Sequence, residues 1–104
     1  MKIIEVLTGD EYPVEIVAIE TGDFKTLRKD RYFFNWSIER NQEVYKLQII
    51  GSRDILGLVS VERIPEEWRI HIRLLSVSKE NKGSTKIYTN IVGNLIRVCF
   101  FSNK

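Results

Sequence analysis

The side chains of this 104-residue sequence that can do chemistry are few and well separated. His71 is the only histidine and Cys99 the only cysteine. Glu62, Glu66 and Glu67 cluster around a proline turn, and Lys79, Lys82 and Lys86 surround Gly83. An imidazole suits proton transfer near neutral pH. Here it alternates along the chain with Arg69 and Arg73, with no neighbouring carboxylate to orient it, so the reading for His71 is a surface position. One histidine gives no Ser-His-Asp arrangement, and one cysteine gives neither an internal disulfide nor a cysteine zinc site; no metal is expected. Cys99 falls on an apolar periodicity, which reads as a buried thiol rather than a nucleophile. Tyr32, Phe33, Phe34 and Trp36 follow Arg28, Lys29 and Arg31. Mixed cationic and aromatic residues can hold single-stranded nucleic acid. These aromatics are adjacent rather than spaced along one strand face, so core packing is the better reading and nucleic acid is not the expected partner.

The elements that must position these residues follow from periodicity. Lys2–Leu7 reads as a strand closed by Thr8-Gly9-Asp10, and Val14–Glu20 fits a strand or a short helix. Asp23 is placed to cap a short helix running to about Lys29. Glu43–Ile50 alternates, with Tyr45, Leu47 and Ile49 on one side and Lys46 and Gln48 on the other. Ile55–Ile64 and Trp68–Val77 continue the pattern across short turns, which predicts an antiparallel meander. After the polar stretch Ser78–Ser84 the period changes. Ile87, Ile91, Leu95 and Val98, widened by Tyr88, Val92, Ile96 and Cys99, predict a long helix with Ser84 or Thr85 as its N-cap. Gly93 would let that helix lie close against the sheet. The whole reads as one α+β domain over residues 1–104: about four antiparallel strands, then a long C-terminal helix.

Sixteen basic and fourteen acidic residues leave a net charge of +2. The balance is uneven along the chain. From Trp68 onward seven basic residues meet one acid, Glu80, for a net +6, while residues 1–67 carry nine basic and thirteen acidic residues, net −4. Either the two parts attract each other in the fold, or the C-terminal third meets an anion. A strand, a glycine-containing polar loop and a capped helix together form a common anion site, because the first amides of a helix lack internal partners and the helix dipole is positive there. No apolar run is long enough for a transmembrane helix and the first residues meet a charge too early for a secretory signal, so the expected location is the cytoplasm, away from membranes.

The segment Leu75-Ser76-Val77-Ser78-Lys79-Glu80-Asn81-Lys82-Gly83-Ser84-Thr85 resembles the coenzyme-binding motif of the GNAT superfamily of N-acetyltransferases, Leu-x-Val on a strand followed by Arg/Gln-x-x-Gly-x-Gly/Ala and a helix. The strand Ile55-Leu56-Gly57-Leu58-Val59-Ser60-Val61 is similar as well. Glu80 stands at the motif's Arg/Gln position, Gly83 at its first glycine and Thr85 at its second small residue. The resemblance covers the front part of the family fold, so it implies a shortened version of that fold. It implies acetyl-CoA as the coenzyme, with the backbone of Leu75 and Val77 along the pantetheine arm and the amides of Lys82, Gly83, Ser84, Thr85 and Lys86 on the pyrophosphate. It also implies direct transfer of acetyl to an amine, with Glu62 as the candidate to take up the proton. The same scaffold without catalysis, acting as an interaction or regulatory module that a second copy could complete through Phe100 and Phe101, is the alternative.

Overall fold

A computed structural model describes residues 1–101. Six antiparallel strands form one sheet curved into a half-barrel. They are β1 (Lys2–Glu5), β2 (Glu11–Ala18), β3 (Glu43–Ile49), β4 (Gly57–Ile64), β5 (Arg69–Val77) and β6 (Tyr88–Thr89), in the spatial order β5-β4-β3-β2-β1-β6. The predicted meander is present as β3–β4–β5, and the ambiguous second segment is the strand β2. The expectation of about four strands followed by a long helix, a shortened GNAT-type α+β fold, is not what the chain adopts. Strands predominate, and the C-terminal helix α2 starts only at Ile91 and runs to Phe101.

The late start of α2 has a local cause. The predicted first turns, residues 84–90, are needed elsewhere. Tyr88 and Thr89 pair with Glu5 and Ile4 and cover the outer edge of β1. The buried side chain of Asn81 ties the base of the preceding loop, donating from Nδ2 to Ser78 Oγ at 2.8 Å and accepting from the Tyr88 amide at 2.9 Å. Asn90 then takes a left-handed conformation, φ +73°, which asparagine tolerates better than most residues. The first intrahelical bond follows, from the Asn94 amide to the Asn90 carbonyl.

Both faces of the sheet are covered. On one, α2 places Ile91, Leu95 and Cys99 against Ile3, Val14, Leu47, Val59, Val61 and Val77. The helix approaches β4 at Gly57: a Cβ there would lie 2.8 Å from Ile91 Cγ2 and 2.9 Å from Leu95 Cδ1. The close approach assigned to Gly93 therefore belongs to Gly57, while Gly93 faces open space. On the other face lie the 3-10 turn Thr21–Thr26, the short helix α1 (Lys29–Tyr32) and the 3-10 turn Trp36–Glu39. They seat Phe24, Leu27, Tyr32 and Trp36 on Val44 and Leu58. Asp23 opens this segment by accepting from the Glu20 amide at 2.9 Å, and the buried Lys46 ammonium reaches Asp23 at 2.7 Å. The aromatic cluster thus divides: Tyr32 and Trp36 enter the core, whereas Phe34 stays partly exposed. Among the described residues no helix is long and apolar enough to cross a membrane.

Candidate functional site

β5 is a terminal strand of the sheet, paired with β4 on one side and, among the described residues, with no strand on the other. Its C-terminal end carries the residues singled out by sequence. Leu75, Val77 and Lys82 border one cavity of about 280 Å3, together with Ser76, Phe33, Phe34 and Val92. This cavity wraps the strand end, with Phe33 and Phe34 supplied by the chain after α1 and Val92 by the first turn of α2. Its lining is mainly apolar. The exception at the rim is Lys82, whose ammonium sits 4.3 Å from the centre of the Phe33 ring in a cation–π contact.

A second cavity of about 200 Å3 shares Val77 and Val92 with the first and is bordered by Asn81, Lys86 and the segment Tyr88–Gly93. The amides of Ile91, Val92 and Gly93 precede the first intrahelical bond of α2, so they are its unsatisfied donors. This changes the expected assignment. The amides of Lys82–Lys86 do not head a helix; they lie on a loop, and Gly83, Ser84 and Thr85 border neither cavity. The helix-terminal amides lie further along the chain, beside Lys86.

The loop is electropositive for a reason the sequence concealed. Glu80, an acid in an otherwise basic stretch, is held by Arg31 of α1. The guanidinium donates to Glu80 Oε1 from Nη2 at 2.5 Å and from Nε at 3.1 Å, and to Asp54 at 2.9 and 3.1 Å. Burial is the largest single influence and would raise the Glu80 carboxyl, but the Arg31 hydrogen bond and charge together with backbone and Ser78 hydrogen bonds outweigh it and hold the group below the usual carboxylate range. Among the described residues no carboxylate pairs with Lys79, Lys82 or Lys86. The +6 of the C-terminal third is thus only partly neutralised by the fold: Arg73 and Arg69 have acidic partners, the loop lysines have none.

Glu62 lies elsewhere. It faces His71 of β5 and lies three residues along β4 from Val59, the partner of Leu75, or about 10 Å at the rise of a β-strand. Its carboxylate is half exposed, and Arg73 Nη1 lies 4.0 Å away. Between the two levels the pairing shifts: Ser60 faces Leu74 and Val61 faces Ile72, which leaves Arg73 as the extra residue of a bulge. The bulge aims Arg73 at Glu39, which is 2% exposed. Glu39 Oε1 accepts from Arg73 Nε at 3.0 Å and from Ser60 Oγ at 2.9 Å. The Arg73 bond holds the Glu39 carboxyl below its ordinary value against the opposing effect of burial. His71, Arg73, Glu39, Leu74 and Ile38 line a shallow groove here. The sequence-predicted residues are therefore divided between two places, a mainly apolar trough at the end of β5 and a charged groove at its middle. Cys99 is buried, and burial raises its thiol, as expected for a structural cysteine. No cluster of ligating side chains that could hold a metal occurs among the described residues. The side chains of Phe100 and Phe101, and residues 102–104, fall outside the described part of the structure.

Sequence reasoning missed Ser76, Phe33, Phe34, Val92 and the helix start at Asn90. Only Asn90 carried a local signal, an asparagine preceding an apolar run. Compared with known proteins, the chain matches no family model, no curated protein and no solved structure.

Proposed function

We propose that this chain is related to the GNAT N-acetyltransferases in function and binds acetyl-CoA along the outer edge of β5. The observation that carries the reading is the unpaired edge at Leu75–Val77, opening into two adjoining cavities bordered by Lys82 and Lys86, which have no acidic partner among the described residues. An extended pantetheine arm can hydrogen-bond to such an edge as an added strand does. The amides of Ile91–Gly93 and the ammonium groups of Lys82 and Lys86 suit the phosphates. In a catalytic cycle an amine nitrogen attacks the thioester carbonyl, the carbon–sulfur bond breaks, coenzyme A leaves as its thiolate, and the amine proton passes to a base, for which Glu62 is the candidate, and from there by way of solvent to the thiolate. The protein's contribution to that step is chiefly to hold both reactants together.

The test is a thermal shift. A ligand at 100 times its Kd stabilises the folded state by about 2.7 kcal/mol. A clear rise in Tm with acetyl-CoA is expected; the absence of any shift at millimolar coenzyme refutes the reading.

The placement of Glu62, about 10 Å along the strand from the level of Leu75, favours a second reading in which the chain binds without catalysis. Thiol release from acetyl-CoA in the presence of a panel of amines separates the two: binding without release supports the noncatalytic module. In that reading the β5 edge is also where another chain would add, a second copy included. The bulge at Arg73 and the cations Arg69 and Arg73 oppose self-pairing. Light scattering is therefore expected to show a monomer, and a dimer would overturn this argument.

A further inference from the structure

Two buried side-chain oxygens among the described residues lack a hydrogen-bond partner, Gln48 Oε1 and Ser76 Oγ. Gln48 is anchored through its own nitrogen, which donates to Glu15 at 2.8 Å, and borders none of the cavities described above. Ser76 is different. It is 7% exposed, it stands between Leu75 and Val77 at the end of β5, and it borders the larger cavity. A buried hydroxyl with no partner is unfavourable in the empty protein. An alanine or valine would fill the same position on a strand without that penalty. The rest of the lining, Phe33, Phe34, Leu75, Val77 and Val92, offers only apolar contact, and Lys82 puts a cation at the rim. The matching ligand is an aliphatic chain interrupted by a group that hydrogen-bonds to a hydroxyl, with an anion beyond it.

We propose that Ser76 is the residue that recognises an amide of the ligand's arm in this cavity. A hydroxyl both donates and accepts, so it can meet either the N–H or the C=O of an amide. In the empty cavity Oγ is out of contact with solvent, and engagement takes a rotation about Cα–Cβ to another staggered position. This assignment rests on the coenzyme reading above, and deepens it: the arm of pantetheine carries two amides separated by methylene groups, and its phosphate lies on the side of Lys82.

The test uses the full chain, the Ser76→Ala variant and three probes: acetyl-CoA, S-acetylpantetheine, which has the arm without the nucleotide, and adenosine 3′,5′-bisphosphate, which has the nucleotide without the arm. Ser76→Ala removes an unsatisfied group, so the empty variant should melt no lower than the wild type. Its affinity for acetyl-CoA and S-acetylpantetheine should fall about tenfold, the size of one neutral hydrogen bond shielded from water, with its affinity for the bisphosphate unchanged. Unaltered affinity of Ser76→Ala for acetyl-CoA overturns the role of Ser76 and leaves the coenzyme reading standing. Equal weakening toward the bisphosphate also overturns it, because the substitution would then act through general disturbance. A wild-type chain that binds none of the three overturns the coenzyme reading and this assignment together.

Discussion

Gly57 offers the sharpest test of how the helix is seated. An added Cβ at this position would meet Ile91 Cγ2 at 2.8 Å and Leu95 Cδ1 at 2.9 Å. Carbon atoms pack at about 3.5–4.0 Å, so Gly57→Ala requires roughly 0.7 Å of retreat by α2 or β4. Neither side chain can swing aside, since Ile91 is 3% exposed and Leu95 is fully enclosed. Overpacking of this kind costs about 1–3 kcal/mol, and the enclosure of both contacts places it in the upper part of that range. Replacing glycine also restricts the unfolded chain, which returns about 0.5–1 kcal/mol. The net loss is about 1–2 kcal/mol, or a fall in Tm of about 4–15 °C for a domain of this size. Gly93→Ala is the control with the same chemical change. It lies within α2, nothing lies within 4 Å of its added Cβ, and alanine is favoured over glycine in a helix by about 0.8–1 kcal/mol. Its Tm should rise by about 4–8 °C. Thermal unfolding followed by circular dichroism reads both. A Gly57→Ala variant as stable as the wild type, or a Gly93→Ala variant less stable, would refute the seating of α2 on β4. Because α2 carries the amides of Ile91–Gly93 to the second cavity, Gly57→Ala should also weaken acetyl-CoA binding.

Four further outcomes follow from the contacts above. Glu39→Gln should lose about 1.5–3 kcal/mol at pH 7, the range for hydrogen bonds to a charged group. Because the folded state lowers the Glu39 pKa, that stabilisation is present above the ordinary carboxylate pKa and disappears as pH falls through the folded value. The gap between wild type and Glu39→Gln in urea unfolding should therefore close below about pH 4. Tyr32 donates to the Ile55 carbonyl at 2.7 Å, and burial pushes its phenol up to about 12 against the opposing pull of Arg31. Tyr32→Phe should cost about 1–2 kcal/mol and remove the last-ionising tyrosine from an alkaline ultraviolet titration. Arg31→Ala frees the Glu80 carboxylate beside the loop lysines, so the acetyl-CoA thermal shift should shrink; an unchanged shift would show that loop charge plays no part. Gly83 has φ +83°, where a β-branched side chain is strained, so Gly83→Val should distort the loop and abolish the shift if Lys82 and Lys86 hold the phosphates.

The strands could be read from the sequence because their signal is local. In β3, β4 and β5 successive side chains point to opposite faces of the sheet, and short turns leave antiparallel pairing as the only economical path. The basic excess after Trp68 was equally plain in the residue types. The length of the helix was not. Ile87, Tyr88, Ile91, Leu95 and Val98 have helical spacing, but the outer edge of β1 claims Tyr88 and Thr89 before the helix begins. The β1 edge lies more than eighty residues away along the chain, so no window of sequence contains both demands. The site divides in the same way. Leu75, Val77 and Lys82 were legible as a strand followed by a cationic loop. That Arg31 silences Glu80 and that Phe33 and Phe34 wall the cavity depend on α1 packing against residues 79–81, just after β5. Sequence by itself determined which residues are apolar, charged or turn-forming; the tertiary structure alone decided which strand is left at the edge, and therefore where a ligand can dock.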